Sequence, residues 1–424
     1  MKRNLVLAMV VAMAGMGTAW AEQTTIVIGG DGKVQVQGTL TITATGNNGQ
    51  VVVTAVGVPA VRAQSEAEKK ALEYLLSIQG KDAKGEAYDT AKFPHADGAW
   101  FAEMGPALTA MVVKGLIEGG HKVDEPAVVK ALAFIYGTQK EDGGFYTFAV
   151  PSYNTSITVS ALAALPQTPE LKDKIARATK FLRSTQSMEG STDGEGKKIT
   201  KDHPWYGGAG YTAGKAGSMP DMSNTSYYLD ALVDSGAKAD DPAIQAALVF
   251  VTRNQARDES NDQPWAKGRG GGGFIYSTAN GTGKSEFVEK DREGSQVLLE
   301  YGSMTYAGLK SFIYAGLTKD DPKVKAAYKW ITGHWTLDKN PGTDKESGLY
   351  YYYHTFARAL RAYGEDTITD EKGVKHDWRG ELVAALTQRQ KANGSFVNDD
   401  PRWMEKSPVL ATAFAVLALE EARK

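Results

Sequence analysis

Residues 131–145, ALAFIYGTQKEDGGF, contain the pattern that decides the fold, because this pattern returns along most of the chain. Its helical part is Ala, two variable residues, an aromatic residue, an aliphatic residue, three variable residues and Gln. Three further residues then lead to Gly, one variable residue and Phe. The helical part recurs five more times, ending at Gln79, Gln186, Gln255, Trp335 (in the place of Gln) and, in a weaker form, Gln390. Six copies predict a repeat architecture.

Each copy is followed by a second segment that is apolar on most faces. Examples are ITVSALAAL at residues 157–165 and LATAFAVLAL at residues 410–419. A helix that is apolar all round is buried, whereas the Gln-bearing helices carry a polar outer face rich in Lys and Glu. The apolar helices are predicted to start near Met104, Asn154, Asn224, Ser303, Tyr350 and Ser407.

Six exposed and six buried helices predict an all-α protein, in which the pairs close into an α/α toroid or double barrel. Closure is favoured because it leaves no apolar repeat end exposed to water. Two Gly-rich polar insertions, roughly residues 187–222 and 256–300, interrupt the repeat and are expected at one rim.

The N-terminal residues have a different character. Lys2 and Arg3, a short apolar run and Ala19-Trp20-Ala21 predict a signal peptide at residues 1–21, and hence an exported, periplasmic or extracellular protein. Residues 22–64 read as a short β-rich segment with the runs TTIVI, KVQV, TLTITAT and QVVVTAV. We interpret this segment as a cap or stalk on the domain at 65–424, with an independent adhesion element as the alternative.

Composition restricts the partners. The chain has 48 basic and 50 acidic residues, a balance that argues against nucleic acid or an anionic membrane surface as a partner. No stretch after the signal approaches the roughly 20 apolar residues that a transmembrane helix needs. The chain has no Cys, so an exported form is held together without disulfides.

Two segments carry a family resemblance. Gln139-x-x-x-Gly143-x-Phe145 and Gln390-x-x-x-Gly394-x-Phe396 resemble the Gln-x-x-x-Gly-x-Trp/Phe repeat of squalene and hopene cyclases and of protein prenyltransferase β subunits. The resemblance covers about residues 65–424 and implies an α/α toroid. Segments such as GLYYYYHTFARAL are similar to those of exported bacterial proteins that contain these repeats.

The resemblance also suggests two activities, and the motifs of both are incomplete. Cyclases of this family use an Asp-x-Asp-Asp acid, which is absent; Asp221 is the remaining candidate. Prenyltransferase β subunits hold zinc with Asp, Cys and His, and Tyr353-His354-Thr355 resembles their His-bearing segment. Without Cys that site is incomplete, so we predict no metal and no cofactor. A zinc site that uses His354 with carboxylates stays as an alternative, and a rim histidine bonded to tyrosines is the simpler interpretation.

Aromatic residues gather at the starts of the apolar helices, which a toroid directs toward a central cavity. We predict that this cavity binds an apolar or extended small molecule, because aromatic walls suit isoprenoids and sugars. The alternative is that the rings fill the centre. Asn154 and Asn224 lie at equivalent helix starts, and we predict them first as helix caps and only then as ligand contacts. The predicted ligand-binding residues are Tyr153, Asn154, Tyr227, Tyr228, Tyr301, Tyr306, Tyr350, Tyr352 and Trp403.

Three functions follow from these features. The first is a binding protein for an isoprenoid-like or other extended ligand. The second is an enzyme that transforms an isoprenoid or a polysaccharide, with Asp221 and His354 as the catalytic candidates. The third is an interaction module with a cell-envelope partner, which the Gly-rich insertions would contact. Fold alone does not choose among them.

Overall fold

A computed structural model describes residues 62–212, 219–290, 295–343 and 345–424 in full, and the backbone of strands at 22–23, 40–47 and 50–57. The chain divides into two compact units, which are Gln64–Ala422 and the terminal residues Met1–Ala63 with Arg423–Lys424. The predicted signal peptide lies outside the described residues.

The N-terminal unit contains a three-stranded antiparallel sheet. Its strands are β1 (Glu22–Gln23), β2 (Leu40–Asn47) and β3 (Gln50–Gly57), in the order β1-β3-β2. The register of β2 and β3 pairs Leu40 with Gly57 and Asn47 with Gln50. These two strands coincide with the predicted runs TLTITAT and QVVVTAV, whereas TTIVI and KVQV lie outside the described residues.

The larger unit is a ring of helix pairs, and its described residues contain twelve α-helices that alternate between outer and inner positions. The outer helices are α1 (Glu66–Ser77), α3 (Pro126–Gly137), α5 (Pro169–Thr185), α7 (Pro242–Thr252), α9 (Pro322–Gly333) and α11 (Trp378–Arg389). The inner helices are α2 (Ala107–Glu118), α4 (Pro151–Ala163), α6 (Met222–Asp234), α8 (Gly302–Tyr314), α10 (Leu349–Tyr363) and α12 (Pro408–Arg423). The inner helices are buried along most of their length, so the all-α toroid predicted from the sequence is confirmed.

Two antiparallel hairpins lie between helices. One pairs β4 (Val288–Lys290) with β5 (Gln296–Leu298), and the other pairs β6 (Thr367–Thr369) with β7 (Lys375–Asp377). No helix of the described residues is long and apolar enough to cross a membrane.

The motif glutamines link successive outer helices. Gln139 Nε2 donates to Gly143 O at 3.1 Å, in its own turn, and to Lys174 O at 3.0 Å, in outer helix α5. Gln390 makes the equivalent bonds to Gly394 O at 2.9 Å and to Ala67 O of α1 at 2.7 Å, so the last repeat is bonded to the first. Three other motif glutamines donate to an equivalent pair of backbone carbonyl oxygens: Gln79 (Gly98, Ala127), Gln186 (Gly207, Ala243) and Gln255 (Gly272, Lys323).

Trp335 replaces the motif glutamine and keeps the link by another donor. Its indole Nε1 donates to Glu381 Oε2 at 3.1 Å, and Glu381 belongs to α11, the next outer helix. The Trp335 ring also stacks on His376, with ring centroids 4.6 Å apart. The fifth repeat therefore joins its neighbour through a side chain where the others use a backbone carbonyl.

Threonines on the inner helices hold the turns that follow the motif. Thr155 Oγ1 of α4 accepts a hydrogen bond from Phe145 N at 2.9 Å and lies 3.3 Å from Phe145 O, to which it donates. Such a hydroxyl satisfies two backbone groups that would otherwise be buried without partners. Backbone N–H groups of other turns donate in the same way to Thr109, Thr225, Thr305 and Thr412.

The asparagines predicted as helix caps have another role. Helix α4 starts at Pro151, so Asn154 lies in its first turn, and Asn154 Oδ1 accepts from Ala107 N at 3.0 Å. This bond joins α4 to α2. The N-cap residue of α6 is Asp221, whose side chain accepts from Asn224 N at 2.8 Å. The prediction of Asn154 and Asn224 as caps was therefore wrong, because each helix begins three or two residues earlier.

Candidate functional site

A cavity of about 370 Å³ opens among the N-terminal ends of the inner helices. All six inner helices contribute to its wall, and the wall is mostly apolar and aromatic. Its volume lies in the range of small-molecule sites, roughly 300–1,000 Å³. The lining residues are Phe101, Met104, Ala107, Leu108, Met111, Val150, Tyr153, Tyr211, Ser223, Tyr227, Tyr276, Tyr301, Ser303, Met304, Tyr351, Trp403, Met404, Leu410 and Phe414.

Four of the predicted ligand-binding residues line this cavity. They are Tyr153, Tyr227, Tyr301 and Trp403. Tyr153 and Tyr227 meet edge to face, with ring centroids 5.4 Å apart, so they form a continuous aromatic wall. The centre is thus not filled by the rings, and the role of these four residues in ligand binding stays a prediction.

The structure places the other five predicted residues outside the cavity wall. Asn154 joins two helices, as described above. Tyr228 donates to Gln186 Oε1 at 3.0 Å, and Tyr352 donates to Thr336 O at 2.7 Å. Tyr350 and Tyr306 are also buried away from the cavity, where Tyr350 packs on Phe396 and Tyr306 packs on Phe356.

Helix geometry explains this division. Consecutive residues of an α-helix point about 100° apart, since a turn holds 3.6 residues. Tyr227 therefore faces the cavity while Tyr228 faces an outer helix, and Tyr351 faces the cavity while Tyr350 and Tyr352 do not. Spacing along α10 could have identified Tyr351, because it shares a face with His354 and Arg358 at i+3 and i+7.

Sequence reasoning also missed Tyr211 and Tyr276, which line the cavity from the two Gly-rich insertions. Both insertions therefore contribute to the cavity. Four methionines complete the wall, and the helical periodicity of the sequence did not mark them as functional. They are Met104, Met111, Met304 and Met404.

Strained backbone surrounds the cavity. Of the six non-glycine residues with positive φ in the described part of the chain, four line the cavity. These are Phe101 (φ 61°), Val150 (φ 43°), Trp403 (φ 53°) and Met404 (φ 65°). Such conformations cost about 1–3 kcal/mol each and gather at binding and catalytic sites. The concentration of strain here supports the cavity as the functional site.

Asp221, a predicted catalytic candidate, lies behind the wall. Its Oδ1 accepts from Asn224 N and its Oδ2 from Asn224 Nδ2, both at 2.8 Å. Burial raises the pKa of Asp221 to about 6, and hydrogen bonds from Asn224 and Tyr276 oppose that rise. Tyr276 lines the cavity and Asp221 does not, so Asp221 is connected to the cavity by its hydrogen bond with Tyr276.

His354, the other candidate, lies deep among the inner helices and is 5% exposed. Its ring stacks between Tyr227 and Phe414, with centroid distances of 6.5 and 5.8 Å. Burial, together with the nearby positive charge of Arg358 and Lys310, holds the pKa of His354 well below its usual value. The imidazole is therefore neutral, and the expectation of a rim histidine bonded to tyrosines was wrong, because α10 carries this residue inward.

A charged layer lies beside His354 and consists of Lys114, Asp230, Asp234, Lys310 and Arg358. Asp230 is 2.6 Å from Lys310 Nζ and 3.0 Å from Arg358 Nε. Asp234 is 2.7 Å from Arg358 Nη2 and 3.4 Å from Lys114 Nζ. Burial disfavours the ionised form of Asp234, but Arg358 and Lys114 outweigh it and hold the pKa of Asp234 well below its usual value. The layer therefore consists of paired charges.

A second, much smaller cavity of about 20 Å³ lies between this layer and the main cavity. We call it the polar chamber. It has room for about one water molecule. Met111 and Tyr227 line both spaces. The other residues lining the polar chamber are Lys114, Ile157, Ser160, Ala161, Asp230, His354, Arg358, Leu417 and Glu421.

Comparisons with known proteins agree with the ring of helix pairs. The family model of the squalene-hopene cyclase C-terminal domain matches residues 20–220. The type II terpene cyclase MstE from Scytonema, in its apo form, superimposes with a TM-score of 0.50 at 13% sequence identity, covering 84% of this chain and 97% of that one. This chain has the terpenoid cyclase-like fold.

Two further structures resemble this chain. A protein from Actinoplanes has a TM-score of 0.44 at 15% identity and covers 84% of this chain and 99% of its own. A variant of MstE in complex with its substrate geranylgeranyl dihydroxybenzoate has a TM-score of 0.33 at 13% identity, covering 75% of this chain and 98% of that one. No curated protein sequence matches the chain.

Within the residues that the structure describes, no group of three or more His, Asp or Glu side chains could hold a metal ion. His354 lies beside Asp230, which two cations already occupy. The alternative of a zinc site built on His354 and carboxylates therefore has no ligand set in the described residues.

Proposed function

We propose that this protein binds an isoprenoid-like apolar small molecule in the cavity formed by its six inner helices. The observation that carries the proposal is the cavity itself, which is about 370 Å³ in volume and walled by aromatic and methionine side chains. Burying the apolar surface of a ligand against such walls contributes a favourable free energy of roughly 25 cal/mol per Å². The fold shared with a type II terpene cyclase agrees with a ligand of this class.

Binding is favoured over catalysis because no acid is presented to the ligand by the described wall. Protonation of an alkene needs an acidic O–H in contact with it. Both oxygens of Asp221 accept hydrogen bonds from Asn224, and Tyr276 stands on its cavity side. Asp221 thus acts first as the N-cap of α6 and as a support for Tyr276.

Cyclisation of an isoprenoid is the second candidate function, and one observation favours it. Burial raises the pKa of Asp221 to about 6, so this carboxyl group keeps its proton up to about that pH. The side chain of Tyr276 lies between it and the cavity. In this alternative, Tyr276 would give its hydroxyl proton to the alkene as it takes the proton of Asp221, which would leave a carbocation in the cavity and Asp221 as a carboxylate.

The location that we propose for this function is outside the cytoplasm. The proposal rests on the N-terminal sequence alone, where Lys2, Arg3 and the apolar run before Ala19-Trp20-Ala21 have the features of a cleaved signal. Mass analysis of the mature N-terminus after expression with its own leader tests it, and a chain that still begins at Met1 in the cytoplasm would contradict it.

A substitution that fills the cavity tests the binding proposal. Leu108 lines the cavity, so we expect Leu108→Trp to occupy ligand space and lower affinity for a 15-carbon isoprenoid hydrocarbon at least tenfold. Val129 is 50% exposed on outer helix α3, so Val129→Trp is the matched control and should leave affinity unchanged. Equilibrium binding of farnesene to the full chain, with thermal unfolding of each variant, is the measurement.

Two results would contradict the proposal. One is absence of binding by the parent protein, and the other is equal binding by Leu108→Trp. Analysis of the same mixtures for new cyclic products tests the second candidate: turnover by the parent that is lost in Asp221→Asn supports an enzyme. Asparagine keeps an acceptor for the helix cap but holds no acidic proton, so turnover that survives this change would exclude Asp221 as its source.

A further inference from the structure

The volume of the main cavity indicates the size of a ligand that would fill it. One water-sized group occupies about 30 Å³ in a liquid, so 370 Å³ accommodates about a dozen such groups. This is the size of an isoprenoid of about ten to fifteen carbons.

The polar chamber indicates where a polar end of the ligand would lie. It adjoins the main cavity at Met111 and Tyr227, and its volume of about 20 Å³ suits one oxygen atom with its hydrogen. His354 lines this chamber and is only 5% exposed. Its Nδ1 atom is buried and has no hydrogen-bond partner in the described residues. An unpaired buried polar atom costs about 1–3 kcal/mol, which a hydroxyl group at that position would recover.

The charge of the surroundings disfavours an anionic head group. Lys114, Lys310 and Arg358 are each paired with Asp230 or Asp234, so none of these three cations is left to neutralise a carboxylate or a diphosphate. Ser160 bridges two of these groups, since it contacts both Lys114 and Asp234. An added buried charge without a partner is strongly unfavourable, whereas a neutral hydroxyl needs only a hydrogen bond.

We propose that the natural ligand of this cavity is a short isoprenoid alcohol of about ten to fifteen carbons, with its hydrocarbon chain between the aromatic walls and its hydroxyl group in the polar chamber beside His354. This inference rests on the proposed function, since it names the ligand class of the same cavity. The hydroxyl donates to a nitrogen of the neutral His354 ring, and Tyr227 lies where head group and chain meet.

A panel of 15-carbon probes that differ only at one end tests the ligand class. Farnesol, farnesene, farnesoic acid and farnesyl diphosphate are titrated separately into the full chain. We expect farnesol to bind about tenfold more tightly than farnesene, because one buried hydrogen bond to an otherwise unpaired group is gained. The acid and the diphosphate are expected to bind more weakly than either. Equal affinity for farnesol and farnesene, or preference for an anionic probe, would overturn the inference.

Two variants of His354 locate the hydroxyl. His354→Phe keeps a ring between Tyr227 and Phe414 but removes both nitrogens, so its affinity for farnesol should fall to that for farnesene, which stays unchanged. His354→Gln keeps a hydrogen-bonding group and should retain a preference for the alcohol. An undiminished preference for farnesol in His354→Phe would place the hydroxyl elsewhere and overturn the assignment.

The design separates failure of the inference from failure of the proposed function. If neither farnesol nor farnesene binds to the parent protein, the cavity is not an isoprenoid site and both proposals fail. If both bind equally, only the alcohol inference fails. Thermal unfolding shows whether each variant is folded, and should neither variant fold, the comparison of the four probes on the parent protein still decides.

Discussion

Glu405 is a fully buried carboxyl group that helps to position the cavity wall. Its oxygens accept hydrogen bonds from Tyr350 N at 3.2 Å, Tyr351 N at 2.8 Å and Asn398 Nδ2 at 2.7 Å. These bonds satisfy backbone N–H groups at the start of α10, the helix that carries Tyr351 into the wall. Burial nevertheless raises the pKa of Glu405 to about 7.

This pKa predicts how stability changes with pH. The folded protein keeps a proton on Glu405 up to about pH 7, whereas the unfolded chain releases it near 4.5. The free energy of unfolding should therefore fall as pH rises through this interval, by about 3 kcal/mol from Glu405. Asp221, whose pKa is raised from 3.8 to about 6, acts in the same direction at somewhat lower pH.

Glu405→Gln should flatten this dependence, because glutamine resembles the protonated acid and does not titrate. Urea unfolding of both proteins at pH 5 and pH 8 is the measurement. The parent is expected to lose more stability than the variant between these two values. Identical losses would show that Glu405 does not bind a proton more tightly in the folded state.

At the scale of the element, the inner helices are held to the preceding turns by threonine side chains. Thr155 and Thr158 lie on the same helix, α4, and both are buried. Thr155 bonds to both backbone groups of Phe145, whereas Thr158 Oγ1 has no hydrogen-bond partner among the described residues. The two positions differ in bonding but not in burial, so they form a matched pair.

Thr155→Val should lower the free energy of unfolding by about 1–3 kcal/mol, because it leaves a buried N–H group unpaired. Thr158→Val should be neutral or stabilising, since it removes an unpaired hydroxyl from an apolar environment. Denaturant unfolding of the two variants checks this difference. Equal costs at both positions would mean that the turns are held by packing alone.

The helix pairs were predictable from the sequence because their signals are local. The Ala-aromatic-aliphatic-Gln stripe indicates an outer helix, and the following run that is apolar on all faces indicates an inner helix. The starts of two inner helices were predicted less accurately, since α4 begins at Pro151 and α6 begins at Met222, both before the asparagines that were expected to cap them.

At the scale of the whole molecule, closure of the ring rests on the same chemistry as each internal link. Gln390 donates to Ala67 across 323 positions of sequence, and Gln139 donates to Lys174 across 35. The loop-closure entropy grows only slowly with length, so the long link remains favourable once the intervening repeats are folded.

Comparing Gln390→Leu with Gln139→Leu tests whether the ring is closed in solution. Each change leaves two backbone carbonyl groups without a donor, so each should cost about 1–3 kcal/mol of stability. If the ring opens between the last and first repeats, Gln390→Leu would cost clearly less than Gln139→Leu. Denaturant unfolding of the two variants, with hydrogen exchange of the amides in α1, distinguishes these outcomes.

The sequence by itself determined the repeat, the number and order of the helix pairs and the toroid, because hydrophobic periodicity acts within a few turns of chain. It also indicated an aromatic centre. Only the tertiary structure decided which tyrosines face the cavity, since neighbours such as Tyr227 and Tyr228 differ by a rotation of about 100° about the helix axis.

The tertiary structure alone also brought together the groups that select a ligand. Tyr211 and Tyr276 come from separate insertions, and His354 meets Asp230 only when the ring is assembled. Contacts of this kind depend on long-range packing, which local patterns do not encode. The sequence thus determined the frame of the molecule, and ring closure decided the shape and polarity of its cavity.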